Sequence, residues 1–357
     1  MAKVIAGISG GVDSAVCAYL LKKEGHDVTG VLLRTTSAEN RCCEIDDARR
    51  ASWEIGIKFY TQNCISDFDN KIMDPFIRDY LRGVTPNPCV LCNPLIKWER
   101  LLFYADILKA DYIATGHYAS IVKKDNGRYT VKRASQAAKD QTYMLYRLSQ
   151  EQLRRTLMPL GDFSKEEVRE IARKAGLPVA EKKDSQEICF VTKGNYADFI
   201  EKKAGEASSE GNFVDESGLI LGKHKGIIHY TVGQRKGLGL ALGYPAYVKE
   251  IRAGENEVVI GKEDSLYSRE IICQDLNFMS IDGLKTGEET EGLVKIRYHH
   301  NGQPAKIIMP EDNKVKIIFD EPVKAASPGQ SAVFYDEEGC VIGGGIISRV
   351  SGKSWPR

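Results

Sequence analysis

Gly7-Ile8-Ser9-Gly10-Gly11-Val12-Asp13-Ser14 stands between an apolar run, Lys3 to Gly7, and a helical pattern that opens at Val12. A glycine-rich turn from strand to helix is a phosphate cradle. Glycines let the backbone approach an anion closely, and the helix that follows aims free N–H groups and the positive end of its dipole at it. Ser9 and Ser14 add hydroxyl donors, and Asp13 adds a carboxylate suited to Mg²⁺. No Gly-Lys-Ser/Thr follows the glycines, so this is not a Walker A loop.

Outward from the loop, strand and helix patterns alternate. Lys3–Gly7, Val28–Leu33, Lys58–Thr61 and Tyr112–Thr115 read as short buried strands. Between them fall helices over Val12–Glu24 (Val12, Val16, Tyr19 and Leu20 on one side), Glu44–Ile55 and Pro94–Leu108. This alternation predicts an α/β fold with a parallel sheet and ligands at the carboxyl ends of its strands, where the loop sits. From Ser149 to Gly205 the pattern is helical, with capping boxes at Ser149-x-x-Gln152 and Ser164-x-x-Glu167. After about residue 206 it becomes short strands joined by turns such as Asn301-Gly302, which predicts two small β-barrels with a break near Asp275 to Thr290. The expected domains are 1–204, 205–276 and 277–357.

The 357 residues exceed one ordinary core, consistent with two or three domains, and a net charge of +1 neither requires nor excludes a nucleic-acid partner. The start, Met1-Ala2-Lys3-Val4, runs straight into a strand, and no apolar run reaches spanning length; a cytoplasmic location without a membrane partner is the expectation. Nine cysteines, an odd number without a secretory signal, favour reduced thiols over a disulfide framework. Cys17, Cys64, Cys273 and Cys340 sit in apolar-patterned elements and read as buried; Cys42 and Cys43 are ambiguous.

Cys89 and Cys92 lie in Thr85-Pro86-Asn87-Pro88-Cys89-Val90-Leu91-Cys92-Asn93-Pro94. A helix starting at Pro94 places Cys92 near its N-terminus, where a thiol shifts toward thiolate. The pair could be half of a zinc site, a redox pair, or a catalytic thiol with a partner elsewhere. Cys189, in Asp184-Ser185-Gln186-Glu187-Ile188-Cys189-Phe190, is the candidate partner.

The 7–14 string resembles the PP-loop of enzymes that split ATP between the α- and β-phosphates and pass AMP to a carbonyl oxygen. Together with the Cys-x-x-Cys stretch at 86–93, Ala-Thr-Gly-His-Tyr at 114–118, Lys-Asp-Gln at 139–141 and the string at 184–190, it resembles the tRNA-specific 2-thiouridylases, in the same order. Tyr230 to Gly239 and Ser327 to Tyr335 extend the likeness over nearly the whole chain. The resemblance implies a PP-loop domain like the adenine nucleotide alpha hydrolases, followed by the two barrels. It implies ATP bound by Gly7, Ile8, Ser9, Gly10, Gly11, Val12, Asp13 and Ser14 with Leu33 and Gly116. Cys92 would be the attacking thiol and Cys189 the persulfide carrier, the two joined in a transient disulfide. Asn87, Pro88 and Cys89 would meet the target base. His117, Lys139, Asp140, Gln141, Arg297, Tyr298 and Gln330 would touch tRNA. Cys89 stands where some relatives carry an acid/base Asp; Cys89, Cys92 and Cys189 are alternatively ligands of a [4Fe-4S] cluster.

The implied reaction is ATP-dependent 2-thiolation of the wobble uridine, with Mg²⁺, through an adenylated base and a persulfide. A cysteine desulfurase or relay protein would donate the sulfur. The competing readings are a PP-loop amide ligase, which needs no thiol, and a non-catalytic nucleotide-sensing RNA-binding protein.

Overall fold

The computed structural model describes residues 1–36, 42–182, 188–191, 194–205 and 209–350. The first half runs β1 (Lys3–Gly7), α1 (Val12–Lys23), β2 (Asp27–Arg34), α2 (Cys42–Ile55), β3 (Lys58–Asn63), α3 (Ile65–Phe68) and α4 (Asp74–Leu81). It continues with α5 (Pro88–Cys92), α6 (Glu99–Ile107), β4 (Tyr112–Ala114), β5 (Ala119–Lys123), β6 (Tyr129–Arg133), α7 (Gln150–Arg154), β7 (Thr156–Leu157), α8 (Lys165–Lys174) and α9 (Tyr196–Ala204). Strands β3-β2-β1-β4-β7 form one five-stranded sheet in that order, parallel throughout.

Both faces of this sheet are covered, and β1 divides between them. Val4 and Ala6 pack with α1, α2 and α8, while Ile5 packs with Trp98, Leu101 and Ala105. Helix α1 departs from the expected one-sided stripe: Ser14, Ala15, Cys17, Ala18 and Leu21 are buried along with Val12 and Val16, whereas Tyr19 and Leu20 are only partly buried. Its small residues admit close neighbours on several sides. Both expected capping boxes form, Ser149 with Gln152 and Ser164 with Glu167, and Asn195 with Asp198 makes a third.

The order of the rest is β8 (Gly211–Val214), β9 (Ile220–His224), β10 (Tyr247–Arg252) and β11 (Glu257–Gly261), a four-stranded sheet ordered β10-β11-β8-β9. Then β12 (Tyr267–Phe278), β13 (Glu289–Lys295), β14 (Gln303–Glu311), β15 (Lys314–Lys324), β16 (Ser331–Tyr335) and β17 (Val341–Val350) close a six-stranded barrel. Strand β12 runs through the expected junction at 276–277, so the barrel begins at Tyr267. Alternate residues Val315, Ile317 and Phe319 fill its interior.

The barrel shares a core with the first domain: Tyr143, Tyr146, Val333, Tyr335 and Val341 join Trp98 and Leu101. Buried polar bonds fix the seam. Tyr143 donates to the Ser331 carbonyl at 2.9 Å and Thr130 to that of Val341 at 2.6 Å. Arg147 grips Asp275 with both terminal nitrogens.

Candidate active site

The strand order reverses direction at β1, with β2 on one side and β4 on the other, and the crevice at such a switch point is where an open α/β sheet takes its ligand. The 7–14 loop leaves β1 and Thr115-Gly116-His117 leaves β4, so both edges of that crevice carry predicted site residues. The loop closes on itself. The Ser9 amide donates to Ser14 Oγ at 3.0 Å, and Ser14 Oγ donates to the Gly11 carbonyl at 3.0 Å. Gly10 has φ +75°, and a Cβ there would lie 2.5 Å from the Glu44 carbonyl oxygen. Gly116 presses on the start of α1, where a Cβ would come within 2.7 Å of the Asp13 carbonyl carbon. Both positions therefore require glycine. The amides of Val12 and Asp13 open the helix toward the crevice. Leu33, near the end of β2, is partly buried beside the same crevice.

Asp13 is engaged. Its Oδ1 accepts from the Tyr118 hydroxyl at 2.7 Å and from Lys165 Nζ at 2.8 Å, and its Oδ2 accepts from Lys165 at 2.9 Å. The loop as folded does not fit the expected direct Mg²⁺ ligation by this carboxylate, because an ammonium already occupies it. What the loop does have is cations: Lys165, at the first position of α8, and Lys182, which donates to the Gly10 carbonyl at 3.0 Å and to Asp47 at 2.7 Å. Neither lysine was singled out by the sequence, since both come from far along the chain.

The thiol side corrects a local expectation. The helix begins at Pro88, not Pro94, capped by the Asn87 side chain, which accepts from the Cys89 amide at 3.1 Å. It passes Pro94 by widening into a π-helical stretch, Asn93–Trp98, before α6. Proline lacks an N–H and crowds the preceding turn, and a wider turn relieves both. Cys89 thus lies in the first turn, while Cys92 lies deeper, 8% exposed among Phe68, Phe76, Ile96 and Phe190. Burial pushes the Cys92 thiol up to about 12; nearby Lys97 pulls it down, and the neighbouring thiols Cys189, Cys89 and Cys64 add to the rise. The predicted thiolate at a helix start is not what the fold provides.

Cys189 is exposed, on a turn closed by Val191 N–H to the Ile188 carbonyl at 2.9 Å. The next residue pins it: the Phe190 ring centroid lies 5.1 Å from that of Phe76 and 5.2 Å from that of Phe199. Asp184, Ser185 and Gln186 lie outside the described residues. The three thiols are electrostatic neighbours but not one ion's ligand set. Among the described residues, the group of three metal-ligand atoms within 4.8 Å of one another is Asp336, Glu338 and Cys340, where Lys124 already bonds both carboxylates. Among the described residues the zinc reading has no support. Cys17, Cys64, Cys273 and Cys340 are buried as expected.

His117 joins the two halves. Its Nδ1 lies 2.9 Å from Thr115 Oγ1, its ring is 5.5 Å from that of Trp98, and burial, with Lys97 adding to it, holds its pKa well below the usual histidine value. The Lys97 charge therefore acts on both His117 and Cys92. Pro88 is buried at the first position of α5. Gln330 donates to the Thr85 carbonyl at 2.9 Å, and the Thr85 amide to the Pro328 carbonyl at 3.0 Å, so the barrel loop holds the segment that leads into Asn87, Pro88 and Cys89. Asp140 is 4% exposed and accepts from Thr142 Oγ1 at 2.8 Å; Gln141 accepts from the Tyr118 amide at 2.9 Å. Asp140 is buried and Gln141 partly buried, and each is tied into the fold by these bonds. Lys139 is partly buried at the end of a short turn. Arg297 donates to the Lys324 carbonyl at 3.2 Å on the barrel surface, and half-buried Tyr298 lies 6.2 Å from the Tyr143 ring.

A parallel sheet with a Ser-Gly-Gly loop at its switch point is a nucleotide-binding domain of the PP-loop class. Residues 2–193 match the family described as the tRNA methyl transferase HUP domain, 197–262 its PRC-barrel domain, and 268–347 the aminomethyltransferase beta-barrel domain. The tRNA-specific 2-thiouridylase MnmA of Lachnoclostridium phytofermentans is 51% identical over 97% of this chain and 99% of its own length. That of Clostridium acetobutylicum is 48% identical over 97% of this chain and 99% of its own. The chain belongs to the tRNA-specific 2-thiouridylase family.

Proposed function

We propose that the chain catalyses ATP-dependent 2-thiolation of the wobble uridine of tRNA anticodons, in the cytoplasm, with AMP and pyrophosphate as by-products. The observation that carries this reading is an unbroken line of neighbours from loop to thiol. Gly116 lies on Asp13, His117 follows it, the Lys97 charge acts on both His117 and Cys92, and Cys89 and Cys189 act on Cys92 in turn. Methyl transfer, the term in the matched family's description, would leave both the anion loop and the thiols without a task.

In this reading Asn87, Pro88 and Cys89 receive the flipped uridine, and its C2 oxygen attacks the α-phosphate of ATP held beside Leu33 and Gly116. Pyrophosphate leaves into the amides that open α1, with Lys165 and Lys182 balancing its charge. The terminal sulfur of a Cys189 persulfide then attacks C2, and AMP departs. Cys92, as thiolate, attacks Cys189 Sγ; the S–S bond breaks, 2-thiouridine is released and a Cys92–Cys189 disulfide remains for a dithiol reductant. The exposed turn suits delivery of sulfur from a donor protein. Arg297 and Tyr298 would contact the tRNA from the barrel.

Protein given ATP, unmodified tRNA and a cysteine desulfurase with cysteine, which supplies sulfur already at the persulfide level, should yield 2-thiouridine at the wobble position, read by nucleoside mass spectrometry. ATP turnover with no sulfur in the RNA would sink the reading. Undiminished turnover in Cys92→Ser would point to a ligase.

A further inference from the structure

We infer that Arg133 and Lys295, which meet where the β5–β6 hairpin docks on the barrel, form a cleft that holds an RNA phosphodiester beside the target nucleotide. This rests on the proposed RNA substrate. Arg133 ends β6, and its amide donates to the Gly339 carbonyl at 2.9 Å. Its guanidinium carbon lies over the Tyr335 ring, 3.9 Å from the centroid, and its Nε and one terminal nitrogen are buried with no acceptor among the described residues. Lys295 ends β13 and is 8% exposed, and its ammonium makes no hydrogen bond and no ion pair within 4 Å among the described residues.

Asp140 opposes the fall in Lys295's pKa caused by burial, while Arg133 adds to that fall, and Asp140 and Arg133 both act on Tyr335. Asp140 is already used: it accepts from Thr142 Oγ1 at 2.8 and 2.9 Å and from the Thr142 amide at 3.2 Å. Two desolvated cations against one satisfied carboxylate leave a positive charge and several unused donors, a costly arrangement unless an anion joins it. A phosphate supplies the charge and the acceptors, and the guanidinium fork matches its oxygens.

The position selects which phosphate. Tyr298, whose ring centroid is 5.9 Å from Lys295 Nζ, feels both Asp140 and Cys89, so the cleft borders the base-meeting segment. A base stacked on Tyr298 with its phosphate on Arg133 and Lys295 is a normal RNA contact. Nothing in the sequence pairs these residues, since β6 and β13 belong to different domains.

The test is binding of a labelled anticodon stem-loop to the full-length protein as a function of KCl. Arg133→Gln and Lys295→Gln should each weaken binding about tenfold, and each should lower the salt slope by about 0.7. Arg133→Lys and Lys295→Arg should keep the slope, which a purely structural role would not distinguish. Thermal midpoints on the same samples separate lost contact from lost fold. An unchanged slope in the neutral variants overturns the cleft. So does an equal loss in the conservative ones accompanied by a fallen midpoint. Inorganic phosphate that binds wild type and loses affinity in the neutral variants, while the stem-loop does not, reassigns the cleft to a free anion and overturns the RNA assignment. Failure of wild type to bind the stem-loop removes the underlying RNA reading as well.

Discussion

The anion loop and the thiol pocket occupy the same edge of the molecule but are built on different principles. The loop is eight consecutive residues closed by their own hydrogen bonds, Ser9 to Ser14 and Ser14 to Gly11. The pocket gathers Cys64 beside α3, Cys89 and Cys92 on α5, and Cys189 on a distant turn, held by the aromatic packing of Phe68, Phe76, Phe190 and Phe199. A locally closed element keeps its conformation wherever the sheet places it. An assembled one takes its chemistry from whatever surrounds it, and here that is burial. The two should therefore fail separately.

The largest effect should be on the pocket alone. Cys92→Ser and Cys189→Ala should each remove thiolated product, a loss above about a thousandfold, while adenylation continues. Cys89→Ala should keep part of the activity. Complete loss in all three, with iron and labile sulfide bound to anaerobic protein, would replace the persulfide route by a cluster.

The loop is probed next by Asp13→Asn and Lys165→Met. Each leaves its partner's charge uncompensated in a largely buried setting, and adenylation should fall about a hundredfold, roughly 2.7 kcal/mol. Stem-loop RNA affinity should stay within about twofold of wild type. A selective loss of RNA binding instead would show that the two regions are one.

The pocket's burial should appear as a pH dependence. The thiolate is the nucleophile, and with Cys92 raised to about 12 only a small fraction is ionised at pH 7. Single-turnover sulfur transfer from preformed adenylate should rise about tenfold per pH unit between 7 and 9, with adenylation much flatter. A flat transfer step would mean that Cys92 does not attack as a free thiolate.

The smallest expected effect lies at the junction. His117 is kept neutral in the fold, its pKa well below the unfolded value of about 6.5. The unfolded chain therefore takes up a proton below pH 6.5 that the native state refuses, and stability is lost as pH falls, by about 1.4 kcal/mol per unit from this residue. His117→Gln should shallow the acid limb of a denaturation–pH profile by that slope. An unchanged limb would show that the histidine is not sequestered. His224 and His300, also depressed, act in the same direction.

The sequence made the loop, the parallel sheet and the capping boxes legible because each is written in residues a few positions apart. Cys92 was misread because the helix start was assigned to Pro94. Both Pro88 and Pro94 carry the same local signal, and only the π-helical stretch lets the second remain inside a helix. Asp13 looked like a free carboxylate because its partner, Lys165, is 152 residues away. Lys97 stood in plain view, but its importance comes from its charge acting on His117 and Cys92 together, which no spacing encodes. The bonds of Asp140 to Thr142 and of Gln141 to Tyr118, with the barrel's Tyr335 behind Thr142, likewise join residues that no local motif pairs.

The central claim is that the ATP half and the sulfur half of this site act in sequence and can be separated. A single-turnover reaction of Cys189→Ala with ATP and unmodified tRNA tests it most directly, by measuring pyrophosphate release and the RNA-bound product together. The account predicts close to one pyrophosphate per active site, an adenylated uridine on the tRNA, and no sulfur incorporated. Absence of pyrophosphate release in this variant, with wild type active under the same conditions, would contradict it.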